Sequence, residues 1–171
     1  MEHRFCPRCA TPLVEQHTAE RLRTLCPAQD CGYVYWNNPL PVVAAVVEYQ
    51  GKILLARNAA WEEPMYALIT GFLEQGETPE QGVAREVQEE TALHAESIAL
   101  LGVYEFIRKN ELIIAYHVQA SGTVSLSPEL AAYKLVEPAE LRPWRAGTGL
   151  ALAEWMRRRG LPYELVERPG Q

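Results

Sequence analysis

The chain has 171 residues, 48% of them hydrophobic, and a formal net charge of −6 from 16 basic and 22 acidic residues. That is one ordinary domain, or one with a small appendage, with ample apolar content for a core, and the negative balance argues against a protein that coats DNA. No apolar run reaches the roughly 18 residues of a membrane span. The opening MEHRFCPRC lacks the apolar stretch of a secretory leader, so the expected compartment is the cytoplasm. Asp30 is the single aspartate, so a carboxylate metal site here would be built almost wholly of glutamate.

All four cysteines lie near the start, as Cys6-Pro-Arg-Cys9 and Cys26-Pro-Ala-Gln-Asp-Cys31. Two hairpin turns carrying these pairs would set four thiolates around one cation, the tetrahedron that Zn²⁺ prefers. A closed set of four leaves no open position, so the expected role is structural. A disulfide is disfavoured in a cytosolic chain. A redox pair is disfavoured by the wider second spacing and the missing βαβ context. The reading is a small zinc ribbon over residues 1–36 and a main domain over 37–171. Tyr33 to Trp36 and Asn37-Asn38-Pro39 serve as the linker, since Pro and Asn punctuate regular structure. Arg4, Arg8, Arg21 and Arg23 read as solvated surface.

In the main domain, Pro41 to Gln50 is rich in β-branched residues and predicts a strand, with a turn at Gln50-Gly51 and a returning strand over Lys52 to Arg57. Asn58 to Pro64 reads as polar loop, Met65 to Thr70 as a short strand, and Gly71 to Glu77 as a loop with two glycines. Thr78-Pro79-Glu80-Gln81 starts a helix: Thr78 caps it, Pro79 suits the first turn and Gln81 completes a capping box. The helix runs to about Thr91. Strands follow over Ile98 to Phe106, Glu111 to Ala120 and Tyr133 to Val136. Thr148 caps a last helix whose apolar face is Leu152, Trp155 and Met156. Arg157, Arg158 and Arg159 sit at its C-terminus, where cations complement the dipole. Residues from Leu161 to Gln171 form a Pro-containing tail. Strands and helices in this order predict an α/β fold with helices packed on a mixed sheet.

The central helix carries Arg85-Glu86-Val87-Gln88-Glu89-Glu90. Glu86, Glu89 and Glu90, spaced i, i+3, i+4, share one face, while Val83 and Val87 fall on another. Three like charges side by side repel one another, and a divalent cation removes that penalty. Mg²⁺ takes carboxylate oxygens and bridges to phosphates. Arg85 can pair with Glu77 and hold the preceding loop, and Gly71 and Gly76 permit close backbone approach. A merely solvated acidic face is the common meaning of a charge run, and the glycine loop upstream weighs against it.

Gly71-x5-Glu77-x7-Arg85-Glu86-Val87-x-Glu89-Glu90-x-Ala92-Leu93 resembles the Nudix box, G-x5-E-x7-R-E-U-x-E-E-x-G-U with U apolar. The departure is Ala92, where the family has the glycine that ends the helix. The resemblance implies an α/β/α sandwich around a mixed sheet. It also implies hydrolysis of a nucleoside diphosphate linked to another moiety. By position, it makes Glu86, Glu89 and Glu90 the metal and base set for Mg²⁺ or Mn²⁺, supported by Glu77 and Arg85, with the Gly71 carbonyl as a further ligand.

A zinc ribbon directly before such a domain is similar to the NADH pyrophosphatase group and to a plant-type FAD pyrophosphatase group. On that resemblance, Glu129 in Pro128-Glu129-Leu130 is a further metal ligand or base. Phe72 and Trp36 stand where those enzymes stack a base, one of them across a homodimer interface. The proline-rich signature of NADH pyrophosphatases is absent, and Tyr104-Glu-Phe-Ile-Arg-Lys-Asn-Glu111 stands in its place. Tyr104, Phe106, Arg108 and Glu111 are therefore the candidate substrate contacts. The expected activity is metal-dependent cleavage of FAD, NAD(H) or ADP-ribose to a nucleoside monophosphate by a homodimer. The alternatives are a house-cleaning nucleoside triphosphate pyrophosphatase, an RNA cap remover, or a nucleotide-sensing module without catalysis. Membrane and nucleic-acid partners are not expected. His94 and His117 have no motif around them and read as ordinary histidines.

Overall fold

The computed structural model describes residues 4–18, 20–62 and 65–167. The predicted loop residues Glu63 and Pro64, and the last four residues of the predicted tail, lie outside them. The chain divides into two compact units, 1–38 and 39–171.

The first unit is a three-stranded antiparallel sheet in the order β1 (Val14–Thr18), β2 (Arg21–Leu25), β3 (Val34–Tyr35). Its strands are exposed or half-buried, while Cys6 and Cys26 are buried. The sulfurs, rather than a hydrocarbon core, occupy its interior. The stretch expected as linker is a strand instead: Thr24 pairs with Tyr35 and Leu25 with Val34. The edge of β2 offers a ladder that local composition does not reveal.

The second unit is built on β4 (Leu40–Tyr49), the centre of a six-stranded mixed sheet in the order β7-β8-β4-β5-β9, with β6 also pairing β4. β5 is Lys52–Asn58, β6 Ile69–Phe72, β7 His94–Phe106, β8 Glu111–Ser121 and β9 Leu130–Val136. β4 runs parallel to β8, and the other pairings are antiparallel. The run Val42–Val47 is buried throughout, because side chains alternate across a sheet covered on both faces. Val43, Ala45 and Val47 pack with Val83 and Val87 of α1 (Pro79–Thr91). Val42, Ala44 and Val46 pack with Leu152, Trp155 and Met156 of α2 (Thr148–Arg158). The α/β/α layering follows.

Several boundaries differ from the sequence reading. The short strand is Ile69–Phe72 rather than Met65 to Thr70, so Gly71 and Phe72 leave the expected loop. β4 supplies their partners, Val43 opposite Gly71 and Val42 opposite Phe72. β7 starts at His94, because β8 is long enough to pair there and two register shifts absorb the mismatch. β9 starts at Leu130, pairing with Asn58. Thr148 is not a cap. Gly147, at φ 52, holds the N-cap position without a side-chain bond, and Thr148 is the first helical residue. The expected capping box of α1 is present: Gln81 N–H donates to Thr78 Oγ1 at 3.3 Å and Thr78 N–H to Gln81 Oε1 at 2.8 Å.

The arginines after α2 do more than face its dipole. Arg157 and Arg158 reach back to Glu154. Arg158 also donates to the carbonyls of Leu100 at 2.8 Å and Leu101 at 2.6 Å, tying α2 to β7. Arg159 meets Glu48 at 2.6 Å, and that carboxylate also bonds His117 at 2.8 Å. His117 is therefore half-buried and partnered, and burial holds its pKa below the usual value against the pull of Glu48.

Ala92 ends α1 in the left-handed conformation, φ 59 and ψ 12, and its N–H bonds Gln88 O at 2.8 Å. The turn is thus kept, and an L-residue is held where glycine is easier. The left-handed region costs a residue with a Cβ about 1–2 kcal/mol, offset in part by glycine's larger unfolded entropy. Ala92→Gly is expected to stabilise the protein by up to about 1 kcal/mol in urea unfolding; a loss of stability would show that the methyl group packs usefully.

Candidate functional site

The site starts where β6 passes beneath α1. A Cβ at Gly71 would lie 1.8 Å from the carboxyl carbon of Glu86, so only glycine lets this strand and that carboxylate meet. Val83 and Val87 anchor the opposite face of α1 in the core at 1% and 0% exposure, which fixes the glutamate face outward over Gly71.

Arg85 binds this region together. Its Nε donates to Glu77 Oε2 at 3.0 Å and its Nη2 to Glu77 Oε1 at 2.8 Å, a two-pronged pair. Nη2 also donates to the Phe72 carbonyl at 3.1 Å. Glu77 Oε1 accepts the Glu74 N–H at 2.8 Å, so the segment between Phe72 and Glu77 is latched to the helix. The Arg85 bond, with that N–H, holds the Glu77 carboxyl down at about 2, and its partners raise Arg85 in turn. Nη1 reaches Glu86 at 2.7 Å and Glu89 at 3.0 Å.

Glu129 approaches from another direction. Ser125 N–H bonds Thr91 O at 2.9 Å and Ser127 N–H bonds Glu90 O at 3.0 Å, which docks the loop before β9 on the end of α1. Ala59 N–H bonds Glu129 O at 2.7 Å. Burial, and then the charges of Glu86, Glu129 and Glu89, push the Glu90 carboxyl up to about 7. Burial also raises Glu86, against the pull of Arg85. Glu86, Glu89, Glu90 and Glu129 thus lie near enough for their charges to act on one another, although no three of their oxygens come within 4.8 Å of one another. Oxygen-only donors of this kind suit a hard divalent ion.

On the α2 face of the sheet lies a cavity of about 250 Å³. Phe106, Arg108 and Glu111 line it, together with Trp61, Trp144 and Thr70. Arg108 and Lys109 stack over the Phe106 ring at 5.5 and 5.7 Å. Thr70 lines this cavity, while its neighbour Gly71, on the other face of β6, meets Glu86. Of the other expected contacts, Tyr104 lies elsewhere on this face, where burial and the Glu154 charge raise its hydroxyl pKa. Phe72 is 57% exposed and is linked to the latch through its carbonyl. The walls supplied by Trp61, Met65 and Trp144 were missed in the sequence; a tryptophan in the otherwise polar loop after β5 was the available signal.

In the first unit the four cysteines are unpaired as disulfides, and their sulfurs all lie within 4.8 Å of one another. Among the described residues they form the one group of three or more His, Cys, Asp or Glu ligand atoms this close. Cys6–Cys31 and Cys9–Cys26 are 3.5 Å apart and Cys9–Cys31 3.6 Å, near the roughly 3.8 Å edge of a tetrahedron with 2.3 Å arms. Hydrogen bonding to Thr11 brings the Cys9 thiol down to about 6. Trp36 is 54% exposed, with the Arg23 guanidinium 5.2 Å over its ring. Arg4, Arg8 and Arg21 are exposed and Arg23 is half-buried; Arg21 and Arg23 line a surface groove with Tyr35 and Trp36.

The family pattern described as NUDIX domain matches residues 38–158. A Chromobacterium violaceum protein named NAD-capped RNA hydrolase NudC is 33% identical over 120 residues, covering 70% of this chain and 44% of that protein. A Pseudomonas putida (strain W619) protein of the same name is 29% identical over 173 residues, covering 98% of this chain and 61% of that one. The chain therefore spans about half the length of the curated relatives it matches. Among solved structures, a NUDIX hydrolase from Nitrosomonas europaea superposes with a TM-score of 0.77 at 24% identity, over 97% of this chain and all of that one. The NUDIX domain of Shewanella oneidensis NrtR, complexed with ADP ribose, gives 0.57 at 22% identity over 71% of this chain and 79% of that one. No helix among the described residues is long and apolar enough to cross a membrane.

The raised Glu90 pKa has a sign that can be checked. A carboxyl that titrates near 7 when metal-free, against about 4.5 in the unfolded chain, holds a proton that a divalent cation must displace. Mn²⁺ affinity is expected to rise with pH up to about 7 and level off above it, with proton release on binding at pH 6 and little at pH 8. Without metal, the same group favours the fold at low pH, and that contribution fades as pH climbs from about 4.5 through 7. Calorimetric titration in buffers of different ionisation enthalpy measures the protons; the same release at both pH values would contradict the assignment.

Proposed function

The chain belongs to the Nudix family, and on that premise we propose that it is a divalent-metal-dependent pyrophosphatase. Its substrate is a nucleoside diphosphate linked to a second moiety, of the FAD, NAD(H) or ADP-ribose type, and one product is a nucleoside monophosphate. The observation that carries the proposal is the convergence of Glu86, Glu89, Glu90 and Glu129 beside Gly71, with the Arg85–Glu77 latch holding the frame. A binding module without catalysis has no need of this crowd of repelling carboxylates.

Mg²⁺ or Mn²⁺, when bound, neutralises phosphate oxygens and lowers the pKa of water. The protein's own groups do the rest. Glu90, freed of its proton when the metal binds, is placed to accept a proton from the attacking water. Glu86 and Glu89 supply ligand oxygens, and Arg85 orients both. Gly71 offers its carbonyl without a side chain in the way. The cavity across Thr70 holds one half of the substrate, with the rings of Trp61, Phe106 and Trp144 providing apolar walls for a flat base.

In the first unit we propose one structural Zn²⁺ on Cys6, Cys9, Cys26 and Cys31, with Trp36 presented as a base-stacking ring. Thiolate ligation fits a reducing cytoplasm, and a homodimer belongs to the same reading. A second substrate reading keeps the bond and changes what is attached to it. The relatives named NAD-capped RNA hydrolase favour a dinucleotide at an RNA end. The net charge of −6 favours the free dinucleotide over extended contact with RNA.

Product analysis with FAD, NADH, NAD⁺, ADP-ribose, nucleoside triphosphates and a dinucleotide-capped RNA, each with and without Mg²⁺, separates these substrates. One preferred dinucleotide yielding AMP only with metal is the expected result. Glu90→Gln is expected to lose about 10²–10⁴-fold in turnover while its circular dichroism stays native; undiminished activity would remove Glu90 from the base role.

Zinc analysis of protein purified without added metal is expected to find about one ion per chain, and Cys9→Ser to lose it together with stability in the first unit. A metal-free protein with four reduced thiols and a native melting curve would overturn the zinc proposal.

A further inference from the structure

Among the described residues of the second unit, one arginine has a buried nitrogen that its surroundings do not satisfy. Arg57 lies near the end of β5. Leu54 and Ala56 join the apolar cluster under α1, whereas Ile53 and Leu55 join the cluster under α2. By alternation Arg57 therefore points to the α2 face, the face of the cavity. It is partly buried there. Its Nε is shut off from solvent and has no hydrogen-bond partner. Most other arginines of this unit are engaged: Arg85 with three glutamates, Arg157 and Arg158 with Glu154, Arg159 with Glu48, and Arg145 with Glu167. A buried, unpaired N–H on a charged group carries its desolvation penalty without return, so its retention calls for a partner that arrives from outside.

The backbone around Arg57 is fixed toward both parts of the site. Ala56 and Ala67 exchange hydrogen bonds at 2.9 and 2.8 Å, which brings the Met65–Leu68 wall of the cavity alongside. The β5–β9 register shifts between Arg57 and Asn58, a device that re-aims side chains beside sites. Two residues on, Ala59 holds the Glu129 carbonyl. Arg108 and Lys109 stand in the cavity wall itself. Arg108 and Lys109 thus share the α2 face of the sheet with Glu111, while Glu86, Glu89 and Glu90 stand on the α1 face around Arg85.

We infer that Arg57 is a substrate-binding cation, whose guanidinium takes phosphate oxygens of the nucleoside monophosphate half that occupies the cavity. The inference rests on the pyrophosphatase reading for its substrate, but binding of a product tests it without turnover.

Arg57→Met keeps the length and the apolar stem and removes the unpaired Nε–H. The ligand-free variant is expected to melt at or above the wild-type temperature. The upward melting shift given by AMP with Mg²⁺ is expected to fall, with AMP affinity weakened by at least about tenfold, the scale of one charge-assisted hydrogen bond. On the preferred dinucleotide, KM is expected to rise more than kcat falls, and Arg57→Lys to recover part of the loss. A variant that melts lower yet binds AMP as wild type does would make Arg57 a structural residue and overturn the inference, as would wild-type protein that AMP does not stabilise. Turnover of no dinucleotide by wild type, with an Arg57-dependent AMP shift intact, would overturn the pyrophosphatase reading and leave the phosphate contact standing.

Discussion

Arg85 is one guanidinium set among three glutamates, and the frame of the site depends on it. It closes a two-pronged pair on Glu77, takes the Phe72 carbonyl, and restrains Glu86 and Glu89. The first two contacts turn a glycine-containing loop into a fixed part of the helix. The last two hold like charges at an approach that would otherwise drive them apart. Planar geometry is what allows this, since a lysine ammonium offers no parallel pair of donors to a carboxylate. Glu90 lies outside its reach, and burial together with its acidic neighbours moves it toward neutrality. Arg85 thus keeps Glu77 ionised, while on the helical face burial raises Glu86 in spite of it and Glu90 beyond its reach.

That face was legible in the sequence because a helix has a fixed period. The spacing of Glu86, Glu89 and Glu90 implies a shared face, and the buried Val83 and Val87 say which face it is not. The capping box was legible for the same reason, as a local contact at fixed offset. What could not be read were features that depend on a distant strand. Gly71 and Phe72 look like loop until β4 provides their partners, and Val34–Tyr35 looks like linker until β2 does. The cavity was hidden more deeply. Its walls come from β4, the loop before β6, the β7–β8 hairpin and the start of α2, and no local pattern joins Trp61 to Trp144. Phe106, Arg108 and Glu111 were found because their segment stands where the NADH pyrophosphatases carry a proline-rich signature.

The two units solve the problem of stability in different ways. The second has a sheet covered on both faces and two apolar clusters, so its fold needs no ion. The first has mostly exposed or half-buried strands with cysteine sulfurs as its buried centre, so its interior is chemical rather than hydrophobic. Small modules with little apolar area need such a staple. The same chain therefore presents a sulfur donor set that suits a soft, closed site and an oxygen donor set that suits a hard, open one. Ligand chemistry alone would be enough to keep the two proposed ions apart.

Without ligand, the second unit carries two electrostatic tensions of opposite sign at one end of its sheet. Glu86, Glu89, Glu90 and Glu129 crowd together with too little positive charge, and Arg57 keeps a buried N–H without an acceptor. Neither is relieved by side-chain rearrangement, because α1 is capped and packed, its glutamate end is docked to the loop before β9, and β5 is bridged to the cavity wall. A divalent cation alone would ease the first and leave the second. A phosphate alone would ease the second and worsen the first. A metal-bound phosphate supplies both charges at once. On the proposed reading, such a ligand would answer both, and part of its binding energy would come from pairing groups that the packing of α1 and β5 already holds in place.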